Sequence, residues 1–198
     1  MEIRDALKSD SGDLAFLVNL AGDGIPAYLW KDKVEGDESP LDVGARRAAR
    51  EDGSFSYRNA RACVENDVLL GMMLSYRQPD PYEIGDLSGL PDVVRPLVEL
   101  EAGAPGSWYI NAIATFENHR GKGVARLLLE DAERQAQSDG CDRLSLIVAS
   151  ENPGAKRLYE KLGYRDIRAK QVIQFPGFAH GGDWVLMIKQ IDAARRAD

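Results

Sequence analysis

Hydrophobic and polar positions follow regular strand and helix periods through the second half of the chain. Val124, Leu127, Leu128 and Ala132 recur at helical spacing, whereas Leu144, Leu146 and Val148 alternate with other residues as in a strand. Glycines at 140 and 163 end the two helical patterns. The predicted elements are a strand at 108–115, a helix at 123–138, a strand at 144–149, a short helix begun by Asn152-Pro153, and strands around 164–175 and 184–191.

The first half has a looser pattern that still predicts a strand, a helix and a hairpin. A strand at 3–6 precedes a helix capped by Ser9 or Asp10 and ended by Gly22, and Ser39-Pro40 begins a further helix. Runs at 58–64 and 69–76 flank turn residues and predict an antiparallel hairpin, in which Gly71 marks a bulge. Five prolines in 78–107 predict a long excursion with a helical piece near 93–100. The whole pattern predicts one domain over residues 1–198, built on a mixed sheet flanked by helices.

Composition narrows the class of protein. The 198 residues are 44% hydrophobic and 29% charged, which is typical of one soluble domain that needs neither disulfides nor a structural metal. Two cysteines and two histidines are too few and too scattered for a zinc site, so no metal is expected. The net charge of -7 argues against a nucleic-acid partner, and no apolar run approaches membrane-spanning length. No export signal is visible at the start, and unpaired thiols fit a reducing cytosol, so a cytoplasmic location is expected.

The charge is distributed unevenly along the chain. Residues 1–100 carry 11 Lys and Arg against 19 Asp and Glu, whereas residues 101–198 carry 14 against 13. Two interpretations stay open: an acidic surface that attracts a cationic acceptor, or a solvated acidic surface that only aids solubility.

A glycine-rich turn between the predicted strand at 108–115 and the following helix carries the clearest chemical signal. Gly121 and Gly123 let the backbone turn sharply and leave N–H groups uncovered, and the helix start adds partial positive charge. Arg120, Lys122 and Arg126 add cationic side chains to the same turn. The spacing is neither that of a Walker loop nor that of the dinucleotide fingerprint, but the turn suits a pyrophosphate.

Two blocks in this half resemble the GCN5-related N-acetyltransferase (GNAT) family. Arg120-Gly121-Lys122-Gly123-Val124-Ala125 is similar to its acetyl-CoA signature, Arg/Gln-x-x-Gly-x-Gly/Ala. The segment from Asn152 to Tyr164 is similar to its Asn-x-x-Ala-x-x-x-Tyr-x-x-x-Gly-Phe/Tyr block. The resemblance implies an α/β (α+β) acyl-CoA N-acyltransferase fold, with a mixed, mostly antiparallel sheet of about six to seven strands flanked by helices.

The resemblance also implies how acetyl-CoA would bind as cosubstrate. Asn152 would cap its helix and hold the pantetheine arm, and Tyr159 would lie near the thioester sulfur as the catalytic acid. A departing thiolate of pKa about 8.5 benefits from a proton or hydrogen bond as its charge develops. The remaining cofactor-binding residues would be the strand backbone at Ile113, Ala114 and Thr115, and the phosphate turn at Arg120, Gly121, Lys122, Gly123, Val124 and Ala125.

The general base is the least determined group. An alkylamine must lose a proton before it attacks, yet no acid lies within 108–115, where family members often carry a glutamate. Glu101, just upstream, is one tentative base, and His180, in the loop before the last strand, is a second.

The resulting expectation is an acetyl-CoA-dependent N-acetyltransferase that acts by direct attack of a primary amine, on a small molecule or a peptide, in a ternary complex. The alternatives are a non-catalytic acyl-CoA sensor, a nucleotide-binding protein that uses the glycine turn for ATP, and the same fold with a different acyl donor. The quaternary state stays open, with a homodimer as one possibility.

Overall fold

The computed structural model describes residues 1–178 and 181–191. These residues form two compact units, one of residues 1–76 and 111–131 and the other of residues 77–110, 132–178 and 181–191. Within the described residues, seven strands pair in the order β1-β2-β3-β4-β5-β7-β6. The strands are β1 Glu2–Asp5, β2 Ala60–Glu65, β3 Val68–Arg77, β4 Trp108–Thr115, β5 Arg143–Ala149, β6 Arg165–Gln171 and β7 Asp183–Gln190. The α-helices are α1 Ser11–Ala21, α2 Ile25–Trp30, α3 Pro40–Ala48, α4 Arg95–Glu101, α5 Val124–Ser138 and α6 Pro153–Lys161.

The first unit is built on the predicted hairpin of β2 and β3. Asn66 and Asp67 both adopt positive φ, which gives the two-residue turn that matches the twist of a hairpin. The register shifts between Cys63 and Val64, opposite Gly71 and Leu69, so the bulge predicted near Gly71 is present. A Cβ at Gly71 would lie 2.6 Å from the carbonyl oxygen of Ala114, so only glycine lets β4 approach this closely.

Helices α1 and α3 supply one side of the core of this unit. Ser39 begins α3 with a capping box, in which its N–H donates to Asp42 Oδ2 at 2.8 Å, as Ser39-Pro40 predicted. The short helix α2, which the loose pattern of 25–53 does not predict, ends on Trp30, whose ring stacks on Phe55 at 5.6 Å. Asp10 caps a 3₁₀ turn by accepting from the Leu7 N–H, and it makes no side-chain cap on α1.

The second unit joins parallel and antiparallel pairing. Strand β4 pairs in parallel with β5 over Trp108–Ile110 and Leu144–Leu146, and β7 pairs antiparallel with both β5 and β6. With the two pairings of β2, to β1 and to β3, four of these five pairings are antiparallel and one is parallel, which confirms the predicted mixed, mostly antiparallel sheet. The helical piece of the long excursion is α4, which begins at Arg95, two residues later than predicted.

Candidate active site

The turn between β4 and α5 is an open cradle of backbone groups. Gly121 and Gly123 have φ of 76° and 88°, and no atom lies within 4 Å of the position that a Cβ would take at either. Such φ values are costly for residues with a side chain, so the glycines are needed here for conformation and for access. The first N–H groups of α5 have no acceptor within the helix, so this end of the helix can bind an anion.

Three cations surround this turn, all of them on exposed residues. Lys122 Nζ lies 3.4 Å from His119 Nδ1, and Arg126 Nε donates to Glu130 Oε1 at 2.8 Å. Arg120 precedes the first glycine and is exposed. The predicted residues of the phosphate turn therefore lie together, at the start of one helix.

The two faces of β4 differ in burial beyond the segment paired with β5. Ala112 and Ala114 are packed in the hydrophobic core, whereas Asn111 is exposed and Ile113 and Thr115 are half-buried. Side chains alternate along a strand, so Tyr109, Asn111, Ile113 and Thr115 share the more open face. Ala114, predicted to bind through its backbone, directs its methyl group into the core.

Helix α6 carries the second predicted block. The N–H of Ala155 donates to Asn152 Oδ1 at 3.1 Å, so Asn152 caps the helix as predicted. Tyr159 is buried, and its ring lies 5.9 Å from that of Tyr164. Burial raises the pKa of Tyr159 to about 12, because the charged phenolate is disfavoured away from water, so the side chain is a neutral phenol at neutral pH.

Glu101 lies at the end of α4, mostly buried, and accepts hydrogen bonds from two tyrosines. The Tyr82 hydroxyl donates to Oε2 at 2.9 Å and the Tyr109 hydroxyl to Oε1 at 3.1 Å. Burial raises the pKa of Glu101, and the two hydrogen bonds oppose that rise. His180, the other tentative base, lies outside the described residues.

Tyr82 is the residue of this cluster that the sequence did not single out. From Pro79 to Asp86 it is the one side chain that is not exposed, which shows that it anchors an otherwise solvated segment. The available signal was an isolated aromatic residue in a proline-rich stretch. Nothing in its spacing pointed to Glu101, which is 19 residues away.

The loop after β6 is attached to the segment before α6. Gly181 N–H donates to Glu151 Oε2 at 3.1 Å, and Asp183 N–H donates to Ser150 Oγ at 2.9 Å.

In 1–178 and 181–191, no group of three or more His, Cys, Asp or Glu side chains converges as a metal site would require. No helix in those same ranges is both long and apolar enough to span a membrane.

Comparison with known proteins gives a matching family model and relatives that cover part of the chain. The model described as "Acetyltransferase (GNAT) family" matches residues 26–164. GCN5-related N-acetyltransferase 4, chloroplastic, of Arabidopsis thaliana is 35% identical over 71 residues, which are 36% of this chain and 24% of that protein. This chain matches only part of this protein and of two other curated relatives. The matched segment is between about a quarter and somewhat more than a third of each relative's own length.

Solved structures show a similar fold over nearly all of the chain. An N-acetyltransferase from Staphylococcus aureus Mu50 superposes with a TM-score of 0.67 at 22% identity, covering 95% of this chain and all of the other. A Salmonella typhimurium protein solved with its cofactor acetyl-CoA has a TM-score of 0.57 at 20% identity, with 100% and 98% coverage. The acyl-CoA N-acyltransferase fold implied by the sequence blocks is confirmed.

Proposed function

The chain belongs to the GNAT family of acetyltransferases, and on this premise we propose that it transfers an acetyl group from acetyl-CoA to a primary amine, on a small molecule or a peptide. The observation that carries the proposal is the open turn at Gly121 and Gly123, with cationic side chains beside the start of α5. This arrangement has the charge and the access that a pyrophosphate needs.

The residues around this turn fit the phosphates of acetyl-CoA. Backbone N–H groups from Gly121 to Ala125 would hold the pyrophosphate. The two glycines leave the space beside these groups open, whereas a Cβ at either position would occupy it. Arg120 and Lys122 would add charge, and the backbone of 113–115 would bind the pantetheine arm on the open face of β4. Asn152 would orient that arm while it caps α6.

When bound, acetyl-CoA supplies an acetyl group activated as a thioester. Tyr159 is the proposed catalytic acid, because a neutral phenol can hydrogen-bond to or protonate the leaving sulfur as negative charge develops on it. Direct attack by the amine is the proposed route, as opposed to a covalent acyl-enzyme on a cysteine. Cys63 and Cys141 are both buried, and burial raises the pKa of each thiol. A protonated, buried thiol is a poor nucleophile, so neither cysteine suits an acyl-enzyme route.

Two alternatives keep the same binding site. A sensor that binds acyl-CoA without turnover would use the glycine turn but would not need Tyr159 as an acid. An enzyme with a different acyl donor would need both. A cytoplasmic location, a cationic acceptor and a homodimer stay predictions.

The test measures binding and turnover separately. Calorimetric titration should show acetyl-CoA and CoA binding far more tightly than ATP, and thiol release should occur with some members of a panel of primary amines. Tyr159→Phe should lower kcat about 100-fold or more while acetyl-CoA still binds. Binding without acetylation of any amine favours the sensor, and turnover only with a longer acyl-CoA favours the other donor.

A matched pair of glycine variants tests the phosphate site. Gly123→Ala should weaken acetyl-CoA binding at least tenfold, because a methyl group enters the cradle and the φ of 88° becomes strained. Gly140→Ala is the control: its φ is 74° with equally open surroundings, and it follows the other end of α5, about 22 Å away. Equal effects of both variants on binding would remove the glycine turn from the site.

A further inference from the structure

Arg47 on α3 carries a guanidinium group that is half-buried and lacks a counter-charge. It follows Gly44 by one helical turn and precedes Ala48, and both of these residues are buried. The Nε atom of Arg47 is buried and makes no hydrogen bond. Burial lowers the pKa of Arg47, and the positive charge of Arg50 lowers it further. Among residues 1–178 and 181–191, no carboxylate forms an ion pair with Arg47.

This arrangement of Arg47 is costly for a side chain that serves the fold alone. A guanidinium keeps its charge at physiological pH, so it cannot reduce the cost of burial by losing its proton. An apolar side chain with a similar stem, such as methionine, would fill the same space without that cost. Of the three guanidinium nitrogens, only Nε is both buried and unpartnered, so the N–H groups of the other two can reach a ligand.

Arg50 is held beside Arg47 at the end of α3. Its Nε donates to the carbonyl oxygen of Arg47 at 3.2 Å, and its own carbonyl oxygen accepts from Ser56 Oγ at 2.5 Å. A Cβ at Gly53 would lie 3.2 Å from Arg50 Nη2, so the glycine leaves room for the guanidinium. Arg47 and Arg50, the arginine pair, therefore place two cations at one end of a helix.

The carboxylates around the arginine pair do not neutralise it. Glu38 pairs with Arg46 at 2.9 Å, and Glu51 accepts from Arg58 Nε at 2.5 Å. Asp52 is exposed and is not among the groups that act on the pKa of Arg47. The positive charge of the pair is therefore available for an anion that comes from outside the chain.

The loop that follows the arginine pair is held in place by its own side chains. Asn59 Nδ2 donates to the carbonyl oxygens of Gly53 and Ser54, at 3.0 and 3.2 Å. The ring of Phe55 stacks on that of Trp30. The surroundings of the pair are thus formed before any ligand binds.

The arginine pair is distinct from the glycine turn. The loop after the pair leads into β2 at Ala60, which pairs with Leu74 on β3. The N–H of Phe116, where β4 leads into the glycine turn, donates to the carbonyl oxygen of Leu70 at 3.0 Å. Leu70 and Leu74 are four residues apart, which is about 13 Å along a strand.

We propose that Arg47 and Arg50 form a second anion site, which binds the phosphate or carboxylate group of a small molecule. Guanidinium N–H groups form parallel hydrogen bonds to two oxygens of either group. The bound anion would supply the counter-charge that Arg47 lacks. The proposal goes beyond acetyl transfer, because no step of that reaction uses either arginine.

The first test is thermal unfolding with CoA present, so that the glycine turn is already occupied. Sodium phosphate is compared with sodium chloride at the same ionic strength. Phosphate at ten times its Kd should raise the Tm of wild type by about 3–6 °C, and Arg47→Met should remove this gain. Arg46→Met, the preceding residue and already paired with Glu38, is the matched control and should keep it. Equal gains in wild type and Arg47→Met would overturn the proposal.

Acetate in place of phosphate distinguishes the two ligand chemistries. A gain in Tm with phosphate alone assigns the site to phosphate groups, and a gain with acetate alone assigns it to carboxylates. A gain with both assigns it to either oxyanion. A gain with neither refutes the site.

The second test reverses the expected sign. In a buffer without phosphate or carboxylate, Arg47→Met should keep or raise Tm, because it removes a half-buried charge that has no partner. Arg61→Met is the comparison and should lower Tm, because Arg61 Nε donates to the buried Asp131 at 2.9 Å. A loss for Arg47→Met as large as that for Arg61→Met would show that Arg47 serves the fold and would overturn the proposal.

A third measurement follows the wild-type protein directly. In protein labelled with ¹⁵N-arginine, the Nε–H resonance of Arg47 is assigned by its absence from Arg47→Met. It should shift with added phosphate until the site is saturated, and sodium chloride should not shift it. The Nε–H of Arg58, which donates to Glu51, should stay in place. If phosphate leaves the Arg47 resonance unmoved, the anion site is refuted even where Tm rises.

Discussion

Gly71 on β3 gives the sharpest test of how the fold shapes the proposed site. A Cβ added there would lie 2.6 Å from the Ala114 carbonyl oxygen, 2.9 Å from Val124 Cγ1 and 3.1 Å from the Thr115 Cα. Two of these three atoms belong to the backbone of β4 and cannot rotate away. Gly71→Ala must therefore displace β4 within the segment proposed to bind pantetheine.

The size of the effect follows from overpacking. Forcing one extra methyl group into a packed region costs about 1–3 kcal/mol. For a chain of this length, each kcal/mol lowers Tm by about 2–4 °C, so the Tm of Gly71→Ala should be roughly 2–12 °C below that of wild type. Because Ala114 and Thr115 move with the strand, acetyl-CoA binding should also weaken, by about tenfold for a displacement that costs one hydrogen bond.

The measurement pairs thermal unfolding with calorimetric titration of acetyl-CoA. Gly12→Ala is the control, since no atom lies within 4 Å of its Cβ position on α1 and alanine favours a helix over glycine by about 1 kcal/mol. Gly12→Ala should therefore keep or raise Tm and leave affinity unchanged. A Gly71→Ala protein with wild-type Tm and wild-type affinity would refute the close approach of β3 and β4.

Three further outcomes are expected. Asn152→Ala should lower the stability of the chain by about 1 kcal/mol in urea unfolding, because the Ala155 N–H loses its acceptor; an unchanged midpoint would contradict the cap. Arg61→Met should destabilise by about 1–3 kcal/mol, since the buried carboxylate of Asp131 loses the charged Nε donor at 2.9 Å. An unchanged free energy of unfolding would show that this contact adds nothing to stability. The folded pKa of Glu101 is raised, so the native state binds the Glu101 proton more tightly than the unfolded chain does. Wild type should therefore lose stability relative to Glu101→Gln as the pH rises from 4.5 through the folded pKa. A gain in stability over that pH range would mean that the pKa is lowered and not raised.

Local patterns were sufficient to predict the regular elements of the second half. The strand at 108–115 and the strand and helix that follow it have bounds close to those observed, because strong periodicity lies between glycine and proline punctuation. The two hairpin strands were predicted for the same reason, with turn residues that accept positive φ. Helix α2 was missed because six residues carry too little periodicity to distinguish a helix from a loop.

In the candidate site, too, the features set by neighbouring residues could be predicted and those set by distant residues could not. The glycine turn and the Asn152 cap could be predicted because their functional groups lie within a few consecutive residues, where spacing alone determines geometry. Glu101 was only one of two tentative bases, since a carboxyl beside a strand has no local signature. Its pairing with Tyr82 and Tyr109 depends on the path of the chain from 78 to 107.

The sequence by itself determined the family, the order of the strands and of the helices other than α2, and an anion-binding turn made by neighbouring residues. Tertiary structure decided which carboxyl is removed from water, which phenols hold it, and why β3 carries glycine where β4 approaches. The physical reason is range: periodicity and caps act over a few residues, whereas burial, pKa and close packing depend on groups that only the folded chain brings together.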